Sequence, residues 1–130
     1  MATQRSSLFN MLYAGGFGIT LLIGPNLFFG ANGIAPYFLS APTAWSEWFG
    51  RGFGAILMGM ASGYFFDKDS VAAQKQNMIA HCCMLPLMLY GASCGDKTFN
   101  VPIWQAQIVM HLGMMYVTYL GTVPEDKKKK

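Results

Sequence analysis

Four apolar stretches divided by short polar punctuation constrain this chain more than any other feature. They cover roughly residues 8–29, 48–66, 77–93 and 102–120. A helix of about 20 predominantly apolar residues crosses a bilayer. The first, second and fourth stretches reach or approach that length; the third is shorter and carries Pro86. Charge is scarce as well: 12% of residues are charged and 53% hydrophobic, whereas a soluble domain is roughly 25% charged. A soluble chain this small must present much of its length to water, so the shortage of charge points to lipid around its outer face. The expected fold class is all-α, an integral membrane four-helix bundle forming a single domain over residues 1–130, with a basic tail at 122–130. The opposing reading, a soluble helical bundle, draws on a mean hydropathy of only +0.32.

The punctuation sets the connections. Gly33, Pro36, Tyr37, Pro42 and Trp45 mark residues 30–47 as a loop at headgroup level, with a short interfacial helix near Thr43 to Trp48. Asp67-Lys68-Asp69-Ser70 closes the second helix, Val71 to Gln76 reads as a polar connector, and Cys94 to Thr98 reads as a tight turn. Pro25 makes the end of the first helix irregular. With four crossings, Arg5, Lys68, Lys75 and Lys127 to Lys130 fall on one side, and Arg51 and Lys97 on the other. Basic residues favour the cytoplasmic side, so both termini are expected on the cytosolic, stromal or matrix side. The first stretch is longer than the roughly 7–15-residue core of a cleaved signal and is read as a helix that stays.

Several function classes find no support. The net charge of +3 rests on the terminal lysine run, so no basic face addresses a nucleic acid. Cys82, Cys83 and Cys94 lack the spacing of a disulfide framework or a zinc site. No paired intramembrane carboxylates and no Gly-x-Ser-x-Gly turn appear.

Two constellations remain. On the second helix, Arg51, Ala55, Gly59 and Gly63 recur at four-residue steps, and small residues on one face allow close helix approach in lipid. They form a candidate helix-packing interface, toward either a partner or the chain's own bundle. Arg51 is expected to snorkel to the interface or to pair with Glu47. The other constellation is histidine. His111 shares a face with Gln107 and Thr118, while His81 follows Asn77 by four residues. A membrane histidine can ligate haem iron or chlorophyll magnesium, or hydrogen-bond across helices. His81 is expected near the terminus-side surface and His111 near mid-membrane, about 10 Å apart in depth at 1.5 Å per residue. That separation argues against one haem held between them.

Arg51-Gly52-Phe53-Gly54 at the start of the second helix, together with the lysine-ended tail, resembles the small sterol-pathway scaffold proteins of the endoplasmic reticulum. The likeness covers one helical turn and a tail. The tail also resembles a dilysine retrieval signal, and equally suits an anchor on anionic headgroups. The first expectation is a non-enzymatic accessory or scaffold subunit that packs against other integral membrane subunits. A chlorophyll-binding accessory subunit of a photosynthetic complex is the second, with His111 as magnesium ligand and His81 as a further ligand. A small lipid-modifying enzyme or transporter is the third. The endoplasmic reticulum leads as the compartment, ahead of a thylakoid or the mitochondrial inner membrane.

Overall fold

The computed structural model describes residues 2–28, 38–39 and 43–123. The lysine run and most of the loop expected at 30–47 lie outside them. Four helices make up the fold: α1 (Ala2–Ile23), α2 (Ala44–Asp67), α3 (Val71–Ser93) and α4 (Val101–Thr122). A 3-10 turn, Pro25–Leu27, follows α1. The described residues contain no strand, only an isolated antiparallel bridge between Leu39 and Phe99.

The helices exceed the apolar stretches because their polar ends are helical too. α1 begins at Ala2, six residues ahead of its apolar run, and stops at Ile23, two residues before Pro25. The residue preceding a proline is biased away from helix, which places the break at Gly24. The connector at Val71 to Gln76 is the first turn and a half of α3, capped by Ser70, whose Oγ accepts from the Ala73 N–H at 3.2 Å. The interfacial helix expected near Thr43 is the start of α2. Its cap pairs Thr43 with Ser46 rather than Glu47: the Ser46 N–H donates to Thr43 Oγ1 at 3.2 Å, and the Thr43 N–H to Ser46 Oγ at 2.8 Å. Between α3 and α4, Gly95 takes a left-handed φ of 73°. Asp96 accepts the Thr98 N–H at 2.8 Å, which holds its carboxyl below the usual range.

α1 packs along α2 and α3 along α4, and the two pairs meet mainly through α1 and α4. The α1–α2 crossing is closed by two glycines. A Cβ at Gly54 would stand 2.7 Å from the Gly18 carbonyl oxygen and from the Leu22 nitrogen. Gly91 does the same for α3, because a Cβ there would come within 2.9 Å of the Trp104 ring. α2 and α3 touch near their connecting turn, where a Cβ on Gly63 would lie 3.6 Å from that of Ala73; beyond it they do not pack closely.

Hydrogen bonds set both chain ends at one end of the bundle. Thr3 Oγ1 donates to the Gly121 carbonyl at 3.2 Å, joining the start of α1 to the end of α4. Ser7 Oγ donates to the Lys68 carbonyl at 2.8 Å, adding the α2–α3 turn to the same end.

Burial runs against the usual sorting of side chains. The buried apolar residues are few: Ala14, Leu21, Leu57, Ala61, Met88 and Met114. The buried polar ones include Ser6, Asn10, Gln74, His81, His111 and Thr118, each at most 2% exposed. Large apolar side chains lie outside on all four helices, among them Leu12, Phe65, Phe66, Ile79 and Val109.

Candidate functional site

The polar interior is built at a three- and four-residue spacing. α1 turns inward Thr3, Ser7, Asn10 and Ala14; α3 turns inward Gln74, Asn77, His81 and Met88; α4 turns inward Gln107, His111, Met114 and Thr118. This spacing keeps one helix face on its neighbours. Asn10 is the centre of the network. Its Nδ2 lies 3.1 Å from the Ser6 carbonyl, 3.2 Å from Gln74 Oε1 and 3.0 Å from Thr118 Oγ1. Its Oδ1 accepts from His81 Nε2 at 3.0 Å. Gln74 ties α3 back to α1: its Oε1 accepts from Ser6 Oγ at 2.6 Å and its Nε2 donates to Ser7 Oγ at 2.7 Å. Asn10 thus joins α1, α3 and α4 through a single side chain.

The two histidines sit side by side, with ring centroids 4.7 Å apart in a T-shaped arrangement. The depth difference expected from the sequence is overturned. α3 starts at Val71, not Asn77, so His81 lies 12 residues from the Ser93 end, and His111 lies 10 residues from Val101 on the antiparallel neighbour. At 1.5 Å per residue these are depths of about 18 and about 15 Å from the same end. The partners also fix the protonated nitrogen on each ring. His111 Nε2 faces the His81 carbonyl oxygen at 2.9 Å and His81 Nε2 faces Asn10 Oδ1, so both are donors. His111 Nδ1 is then an acceptor in the neutral ring, and it is buried with no hydrogen-bond partner.

His81 and His111 border a cavity of about 100 Å³ lying where α2 and α3 part. α1 contributes Tyr13, Phe17 and Leu21, and α2 contributes Phe53, Leu57 and Met60. Met84 and Met88 come from α3, Trp104 and Gln107 from α4. Phe38 closes one side: its carbonyl oxygen accepts from Trp104 Nε1 at 2.9 Å and from the Asn100 N–H at 3.1 Å. Gln107 Nε2 donates to the Tyr13 hydroxyl at 2.6 Å. Sequence reasoning did not single out Tyr13, Ser6 or Gln74; the three-and-four spacing of small and polar residues through Thr3, Ser7, Asn10 and Ala14 was the available signal.

A tetrapyrrole does not fit this site. An engineered cavity of about 150 Å³ takes up benzene, and this one is smaller. The described residues also hold no group of three or more His, Cys, Asp or Glu side chains able to bind a metal.

The expected α2 interface divides. Arg51, Ala55 and Gly59 are exposed, while Gly63 turns toward α3. Four-residue steps advance about 40° around a helix of 3.6 residues per turn, so three steps rotate Gly63 about 120° from Arg51. The buried face of α2 is instead Gly50, Gly54, Leu57 and Ala61. Arg51 does not reach for Glu47. Its Nη1 donates to the carbonyls of Leu22 at 2.7 Å and Ile23 at 3.3 Å, the unsatisfied end of α1. No known protein family, no characterised protein and no solved structure matches the chain.

Proposed function

We propose that this chain is a multi-pass integral membrane protein with four crossings and both termini on one side. Its role in this reading is that of a non-enzymatic accessory subunit that docks through the exposed face of α2. The observation that carries the membrane part is the reversed burial, with hydrogen-bonded polar side chains inside and large apolar ones outside. In water this arrangement exposes apolar surface that soluble monomers rarely leave uncovered; in lipid it is the economical one. By average hydropathy, 1.4, α1 is the one described helix long and apolar enough to cross a membrane. Averages understate α3 and α4 because Gln74, Asn77, His81, Gln107 and His111 count against them although they face inward. At 22 to 24 residues, the helices are about 33 to 36 Å long, against a hydrocarbon core of about 30 Å.

The docking part is supported by the position of α2. It packs chiefly on α1, and Gly52 and Gly59 would meet nothing within 4 Å if they carried a Cβ. An exposed row of Arg51, Ala55 and Gly59 offers the close backbone approach that membrane helices use to associate. Native electrophoresis of a mild detergent extract tests it. A complex well above the 14.3 kDa chain is the expected result, lost in Gly59→Leu while the monomer stays folded. Migration of the wild type only as a monomer would sink the docking role.

A further inference from the structure

We infer that the cavity between α2 and α3 binds a ring-sized apolar molecule carrying one hydroxyl group, a phenol or a phenolic headgroup. Three observations converge. The first is size: about 100 Å³ is below the roughly 150 Å³ that admits benzene in an engineered core, so a single ring fills it with little left over. The second is the lining. Phe17, Phe53 and Trp104 present aromatic rings, and Met60, Met84 and Met88 present thioethers. Edge-to-face and sulfur–aromatic contacts both favour an aromatic guest over an alkyl one of equal size.

The third is the polar end, which specifies the hydroxyl. His111 Nδ1 is a buried acceptor without a partner. The Tyr13 hydroxyl already accepts from Gln107, and its own proton goes to none of the described residues. The Tyr13 and His111 rings stand 6.4 Å apart, centroid to centroid. One ligand hydroxyl between them accepts from Tyr13 and donates to His111, satisfying both groups at once. Water fills this role poorly, because a buried water needs two to four polar partners and the rest of the wall is apolar. An unmade hydrogen bond in a buried site is costly, so the ligand lacking the hydroxyl is discriminated against. The preference belongs to the cavity and is independent of any docking through α2.

Binding of 4-ethylphenol and of 4-ethyltoluene, its counterpart without the hydroxyl, to the full chain in detergent micelles tests this. The expected result is at least a tenfold preference for 4-ethylphenol. His111→Phe removes the acceptor and should bring the two affinities within about twofold of each other. Met84→Trp fills the cavity from a half-buried position and should abolish binding of both probes while the helical content holds. A tighter fit of 4-octylphenol than of 4-ethylphenol supports the site as one for a lipid headgroup whose chain continues into the bilayer; the reverse order supports it as one for a free small molecule. Equal affinity for 4-ethylphenol and 4-ethyltoluene in the wild type, a preference unchanged in His111→Phe, or no binding by the folded wild type overturns the inference.

Discussion

Asn10 holds more of the interior together than any other side chain, because its amide meets groups from three helices. Replacing it with leucine leaves the His81 Nε2–H without its acceptor and takes a contact from both Gln74 and Thr118. A stranded buried polar group costs about 1–3 kcal/mol, so Asn10→Leu should destabilise the bundle by about 2 kcal/mol, read from unfolding in mixed micelles. The double variant Asn10→Leu/His81→Leu should lose less than the sum of the single variants, since it removes both partners of one bond. Additive losses would show that the Asn10–His81 bond carries no coupling energy. Arg51 acts differently. Its guanidinium caps the carbonyl end of α1 from an exposed position, so Arg51→Ala should cost only about 1 kcal/mol in the same assay. Arg51 and both histidines were legible as residue types. Their partners were not, because a helix end and a neighbouring ring come from distant parts of the chain.

At the level of elements, the two glycine sets on α2 separate by consequence. Gly54→Leu drives a side chain into α1 backbone that lies 2.7 Å from the first added atom. Overpacking of this kind costs about 1–3 kcal/mol or more, and thermal unfolding of the monomer should register it. Gly59→Leu meets nothing within 4 Å and should change monomer stability by no more than about 0.5 kcal/mol. Equal losses in the two variants would contradict the assignment of faces. The four-residue rule selected Arg51, Ala55, Gly59 and Gly63 as one face, and the 40° advance per step carried Gly63 off it. Helix ends were the other shortfall. Ser6, Ser7 and Gln74 are polar enough to read as connector, yet they are helical because each finds a buried partner on a neighbouring helix.

For the whole molecule, the native cysteines report on its surroundings. Cys82 and Cys83 are exposed about halfway along α3, and Cys94 is its C-cap at the end away from the termini. If lipid surrounds the bundle, a charged maleimide should label Cys94 in membrane vesicles and leave Cys82 and Cys83 unmodified, because thiolate forms poorly away from water. Detergent-free solubility with rapid labelling of Cys82 and Cys83 would remove the membrane reading. In sealed vesicles, Cys94 should label from the face opposite the one on which a terminal tag is detected.

By itself, the sequence determined that the chain is helical, that its segments number four, and that polar residues gather on the inner faces of α3 and α4. These are properties of composition and of period, which neighbouring residues carry locally. Only the tertiary structure decided that His81 and His111 meet, that Asn10 joins three helices, and that α2 and α3 part around a cavity. Those facts depend on where each helix begins and on which faces meet. A helix start displaced by six residues moves a side chain about 9 Å along the axis, so depth and neighbours are settled by packing and not by pattern.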